Sequence, residues 1–149
     1  MIIYIDMDDV LCKYTEAHKA SIVKQPEIEF PQSIKGFFEN LEPMEDAIES
    51  VQKLRQEFDV YILTAPSTRN PLSYTEKRLW IEKYFDYEFT KKLIIRSNKG
   101  LLKGDVLIDD HCEGKGQESF EGKLIHYGTE SFLNWKKVIK SITRKSKEL

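Results

Sequence analysis

Three carboxylates, Asp6, Asp8 and Asp9, follow directly on a short apolar run at the start of the chain, Met1-Ile-Ile-Tyr-Ile-Asp-Met-Asp-Asp-Val-Leu11. The run from Ile2 to Ile5 has the length and composition of a buried strand. Acids crowded at the end of such a strand repel one another and must be solvated or neutralised. A divalent cation neutralises them, and hard Mg²⁺ prefers carboxylate oxygens. Taken alone, the segment also reads as an acidic turn that punctuates the chain. A second segment, Gly104-Asp-Val-Leu-Ile-Asp-Asp110, repeats the pattern with paired acids, Asp109 and Asp110. Two strands delivering carboxylates to the same sheet edge would build one metal site from both. Between them in sequence, Asp59-Val-Tyr-Ile-Leu-Thr64 is a strand-like run ending in a hydroxyl. On its own, Thr64 would be a strand-terminating hydroxyl that caps the backbone.

Positioning these groups requires strands, and five candidates emerge: Ile2 to Ile5, Val60 to Leu63, Leu93 to Ile95, Val106 to Ile108, and Leu124 to His126. Helical patterns separate most of them. From Met44 to Phe58, the residues Ala47, Ile48, Val51, Leu54 and Phe58 share one face at a 3.6-residue period. Tyr74 to Phe85 is predicted helical, with Trp80, Ile81, Tyr84 and Phe85 toward the core. Phe132, Trp135, Val138, Ile139 and Ile142 form the stripe of a C-terminal helix that is expected to fray over Thr143 to Leu149. Glu113 to Gly122, with three glycines, is expected to be a loop. Strands alternating with helices imply an α/β domain with a mainly parallel sheet and helices on both faces. Ligands in such sheets bind beyond the carboxyl ends of the strands, where Asp6, Thr64 and Asp110 all fall. The stretch between Cys12 and Pro43 fits none of this alternation. It holds a predicted helix (Thr15 to Val23), a proline-broken run (Gln25 to Gln32) and an aromatic pair, Phe37-Phe38.

At 149 residues the chain suits a single domain. Its 32% charged and 40% hydrophobic residues are those of an ordinary soluble protein. A net charge of −2 gives no electrostatic footprint for a nucleic-acid polymer or an anionic membrane. No apolar stretch approaches the length of a membrane span, and the opening residues lack the form of a signal peptide, so a cytoplasmic location is expected. Cys12 and Cys112 make neither a disulfide framework nor a zinc site, and read as two reduced thiols.

Apolar strand then Asp-x-Asp, apolar strand then Thr, a lysine, and apolar strand then Asp-Asp, in that order, resembles the haloacid dehalogenase superfamily of phosphatases. Within it, Asp6-Met-Asp-Asp-Val-Leu11, Phe37-Phe-Glu-Asn-Leu-Glu-Pro-Met44, Thr64-Ala-Pro66, Tyr74 to Phe85 and Gly104 to Asp110 look like the 5'(3')-deoxyribonucleotidase family. The resemblance spans nearly the whole chain. It implies a three-layer Rossmann-like parallel sheet of order 5-4-1-2-3, with the first strand central. It also implies a small helical cap inserted after strand 1, at approximately residues 13–43, over the active site.

The implied activity is Mg²⁺-dependent hydrolysis of (deoxy)ribonucleoside monophosphates. Asp6 would be the nucleophile, forming an aspartyl-phosphate, and Asp8 the general acid and base. By the resemblance, Asp8 gives the metal its backbone carbonyl and keeps its side chain for proton transfer. Asp6 and Asp110 would complete the metal shell, with Asp109 ordering it directly or through water. Thr64 and the amide of Ala65 would hold phosphoryl oxygens, and Lys99 would neutralise transition-state charge. Lys99 is preferred over Lys91, Lys92 and Lys103 because Ser97-Asn98-Lys99-Gly100 resembles the short turn that presents the family's lysine. Phe37 and Phe38 match the aromatic cap position that stacks on the base, and packing within the cap is their other reading. Three features depart from the family pattern: Asp9 replaces a usual glycine, His111 a common arginine, and the cap is short. The alternatives are a phosphatase for another small phosphate ester, or a non-catalytic protein that keeps the fold to bind or regulate.

Overall fold

A computed structural model of the chain describes residues 1–148. Five strands form one parallel sheet: β1 (Ile2–Ile5), β2 (Asp59–Thr64), β3 (Leu93–Ile95), β4 (Val106–Asp109) and β5 (Lys123–His126). Their spatial order is β3-β2-β1-β4-β5, which is the expected 5-4-1-2-3 read from the other edge. β1 is central: Ile3 is in register with Val60 and Val106, and Ile5 with Ile62 and Ile108. A strand flanked on both sides and covered on both faces must be apolar throughout, as Ile2 to Ile5 is.

Side chains alternate across the sheet. Ile3, Ile5, Val60, Ile62, Val106, Ile108 and Ile125 face one core, which also takes the buried sides of α2 (Ala47–Glu57), α3 (Leu72–Tyr84), the short α4 (Tyr87–Thr90) and α5 (Trp135–Lys147). Tyr4, Leu63 and Leu107 face the other, where the cover comes from Leu102 and Phe120. These two residues belong to the β3–β4 and β4–β5 crossovers, residues 96–105 and 110–122. Right-handed crossovers that reverse direction along the sheet must pass over the opposite face. Both are too short for a full helix and carry only 3₁₀ turns, Lys99–Leu101 and Gln117–Ser119, so the third layer is thin.

Several boundaries differ from the sequence expectation by a few residues, three of them for a visible reason. α2 starts at Ala47 rather than Met44, behind Asp46 in a left-handed conformation. α3 starts at Leu72, two residues before Tyr74, because the Asn70 side chain accepts from the Leu72 N–H at 3.0 Å. α5 does not fray at Thr143 but runs on to Lys147, Thr143 Oγ donating to the Ile139 carbonyl at 2.9 Å. Leu149, the end of that expectation, lies outside the described residues.

The insert leaves and rejoins the core at a single isolated bridge between Cys12 and Pro43. Lys13 N–H donates to the Glu42 carbonyl and Met44 N–H to the Leu11 carbonyl, each at 2.8 Å. Within it, α1 (Tyr14–Lys24) buries no residue fully, and the 3₁₀ turn Pro31–Ser33 starts on a buried proline. α3 and the turn before it hold the insert down: the Trp80 indole donates to the Leu41 carbonyl at 2.8 Å, and Asn70 Nδ2 to the Gln32 carbonyl at 2.9 Å.

Candidate active site

β1, β2 and β4 end together, and the loops leaving them converge on a cleft of about 320 Å³. Asp6, Asp8, Ala65, Lys99, Asp109 and Asp110 line its floor, and Tyr14, Gln32 and Phe38 line the side formed by the insert. The first loop is fixed by its backbone. Asp6 N–H donates to the Ile108 carbonyl at 2.9 Å, and the N–H groups of Val10 and Leu11 turn back onto the Met7 carbonyl at 3.1 and 2.8 Å. From the far end of the chain, the buried Trp135 indole donates to the Val10 carbonyl at 2.8 Å. The turn needs a left-handed residue at Asp9, where φ is 60°. Aspartate tolerates that region better than most residues. Its carboxylate then accepts from the Thr15 N–H at 2.9 Å and the Thr15 hydroxyl at 2.5 Å, tying the loop to α1.

Lys99 is 2% exposed and donates to Asp6 Oδ1 at 2.8 Å and to Asp109 Oδ2 at 2.6 Å. Burial acts to depress its ammonium, but Asp6 and Asp109 outweigh it and hold it above the ordinary lysine value. The other three lysines considered lie elsewhere. Lys92 pairs with Asp59 at the opposite end of β2, Lys91 pairs with Glu88, and the Lys103 carbonyl accepts from the Tyr4 hydroxyl.

Asp6, Asp109 and Asp110 each offer a carboxylate oxygen within 4.8 Å of the others. Asp109 is already engaged by Lys99, by the His111 N–H at 2.9 Å and by Gln117 Nε2 at 3.3 Å. Asp110 is different: its buried Oδ1 has no hydrogen-bond partner among the described residues. Burial, and then repulsion from Asp6, push the Asp110 carboxyl up to about 8. An orphaned carboxylate oxygen beside two further carboxylates is a donor set that fits a small hard cation such as Mg²⁺. His111 Nε2 rests 3.3 Å from Asp110 Oδ2.

Asp8 is not one of these three grouped acids. Its Oδ2 accepts from Lys77 Nζ at 2.9 Å, and burial raises its carboxyl although Lys77 opposes the shift. The same ammonium donates to Thr64 Oγ1 at 2.7 Å. Thr64 is fully buried beneath the cleft, so Ala65, Pro66 and Ser67 form the wall after β2. The aromatic pair separates as well. Phe38 lines the cleft, packed between Tyr14, with ring centroids 5.9 Å apart, and Lys77. Phe37 lies on the outer side of the insert with Ile28, Pro31 and Ile34. Cys12 is buried and Cys112 exposed, both as free thiols.

Residues 28–139 match the family model described as 5' nucleotidase, deoxy (pyrimidine), cytosolic type C protein. A protein of Vibrio phage KVP40 assigned as a 5'(3')-deoxyribonucleotidase is 36% identical over 98% of this chain and 86% of its own length. The chain belongs to the 5'(3')-deoxyribonucleotidase family. The human mitochondrial 5'(3')-deoxyribonucleotidase is 36% identical over 56% of this chain, and the match covers 38% of that protein. For the human cytosolic type the figures are 33%, 56% and 42%, so the match spans less than half of either human protein. The deoxyribonucleotidases are phosphoric monoester hydrolases, and the acid cluster, Lys99 and Asp8 meet at one cleft in this member.

Sequence reasoning missed Lys77, Gln117 and Tyr14. Lys77 had a signal: it lies four residues from both Ser73 and Ile81, on the buried face of α3. A lysine on a core stripe needs a buried partner. Gln117 lay in a glycine-rich loop and carried no comparable mark.

Proposed function

We propose that the protein is a Mg²⁺-dependent phosphatase of (deoxy)ribonucleoside monophosphates that works through an aspartyl-phosphate on Asp6. The observation that carries this reading is the meeting of Asp6, Asp8, Lys99 and the orphaned Asp110 oxygen in one cleft of nucleotide-compatible size. Asp6, paired with Lys99, attacks phosphorus in line with the leaving oxygen. Asp8, whose carboxyl burial raises, protonates that oxygen and then takes a proton from the water that cleaves the acyl phosphate. Lys99 and the main chain at Ala65 face the phosphoryl oxygens and offset their charge. Asp6 and Asp110, together with Asp109, would hold Mg²⁺, which would supply further positive charge at the phosphoryl group. The nucleoside lies against Phe38 and Tyr14, the aromatic side of the cleft. Cytoplasmic residence belongs to the same reading, since two unpaired thiols suit a reducing compartment.

The test is phosphate release from a panel of nucleoside monophosphates and sugar phosphates, with Mg²⁺ and with chelator. Metal-dependent turnover with the highest kcat/KM on nucleotides is expected. Equal kcat/KM on sugar phosphates would replace the nucleotidase reading with that of a general phosphatase.

A further inference from the structure

Lys77 has no solvent exposure and does not itself line the cleft; it reaches the cleft only through side chains that do. An ammonium has three donors and no acceptor. Its Nζ donates to Asp8 Oδ2 at 2.9 Å and Thr64 Oγ1 at 2.7 Å, and stands 5.0 Å from the centre of the Phe38 ring. These contacts join three separate pieces of chain: the loop after β1, the end of β2 and the insert. Because Lys77 can only donate, Thr64 Oγ1 must accept from it, and the Thr64 hydroxyl hydrogen is turned elsewhere. Its protein acceptor is the Ala65 carbonyl at a long 3.4 Å. The bond to Asp8 Oδ2 leaves Oδ1 as the oxygen available for proton transfer, where the Cys12 thiol donates at 3.7 Å. Between Ser73 and Ile81 on the buried face of α3, an apolar side chain would fill the same volume. A buried cation there is costly unless its partners need it.

We propose that Lys77 is a positioning residue for the reaction. It fixes the Asp8 carboxylate and the Thr64 hydroxyl relative to each other and couples both to the insert through Phe38. This rests on the phosphatase reading of the cleft. Without the ammonium, Asp8 is free to rotate about its side-chain bonds, and a displacement on the order of 1 Å in a reacting group costs about 10²-fold in rate. Loss through Asp8 must also depend on the leaving group, because a good leaving group needs little protonation.

The experiment compares wild type, Lys77→Met, Asp8→Asn and the double variant on a deoxynucleoside monophosphate and an aryl phosphate. A wild type inactive on both substrates defeats the phosphatase reading itself. With wild type active, Lys77→Met is expected to lower kcat on the nucleotide about 10²-fold with KM changed less than about 3-fold. Its loss on the aryl phosphate should be under about 10-fold, and it should add nothing to Asp8→Asn. Additive losses in the double variant, equal losses on both leaving groups, or an effect confined to KM would each overturn the proposal. If circular dichroism shows Lys77→Met to be unfolded, the same comparison is made with Lys77→Gln, which keeps a neutral donor, and the same outcomes decide.

Discussion

Asp6 and Asp8 differ in chemistry because their neighbours differ. Asp6 faces Lys99 and the two acids of β4, whereas Asp8 turns to Lys77. Asp6→Asn keeps the shape but removes the nucleophile and one carboxylate of the metal cluster. It should abolish turnover while the far-ultraviolet circular dichroism stays that of the wild type. Substantial Mg²⁺-dependent activity in that variant would sink the covalent mechanism. Lys99 is the only one of the four lysines weighed from sequence that bonds the acid cluster, so Lys99→Ala should be far more damaging than Lys92→Ala. A lost charge-assisted hydrogen bond is worth roughly 1.5–3 kcal/mol, about 10- to 100-fold in kcat/KM. Lys92 bridges to Asp59 at the other end of the sheet and should leave kcat/KM within about 2-fold, as an exposed pair contributes little. A crippled Lys92→Ala enzyme would misplace the site.

At the scale of elements, the insert works as a wall fastened to α3 at several points rather than as a separate domain. Its aromatic pair is divided by the turn: one ring goes to the cleft, the next to the outer side. Phe38→Ala should raise KM for nucleoside monophosphates, since base–aromatic stacking is worth about 1–3 kcal/mol. The same change should leave KM for a sugar phosphate within about 2-fold, because that substrate presents no base to stack. Phe37→Ala should leave both KM values near wild type, at the cost of some stability. If Phe37→Ala alone shifts the nucleotide KM, the base is read from a different side of the insert. The sequence placed both phenylalanines at the right segment but could not separate them, because neighbouring residues in a turn have no fixed alternation. Lys77 was passed over because on a helix a lysine normally marks the solvated face, and its spacing from Ser73 and Ile81 was the one sign that it sits on the buried face of α3.

For the whole molecule, the cost of the acid cluster falls on the folded state. Asp110 is raised to about 8, and Asp8 and Asp109 are raised by burial as well. These acids hold protons in the folded, metal-free protein at pH values where the unfolded chain, titrating near about 4, has released them. Stability without metal should therefore fall as pH rises from about 4 toward about 8. Metal binding requires the ionised acids, so the Mg²⁺-induced rise in unfolding midpoint should be larger at about pH 8 than at about pH 6. A rise of equal size at both pH values would mean that the cluster is not where the metal binds. The sequence by itself determined the strands and the acids at their ends, because a buried strand leaves a short apolar run and charge at its end has no packing role; the order of the strands in the sheet came through the family resemblance. The sequence also determined the family, since those runs recur in a fixed order along the chain. Only the tertiary structure decided which acid keeps an orphaned oxygen, which phenylalanine meets the cleft, that Thr64 lies beneath it, and that Lys77 holds Asp8. Those outcomes depend on contacts between residues far apart in the chain, such as Lys77 with Asp8 and Trp135 with Val10, and no local pattern encodes such distances.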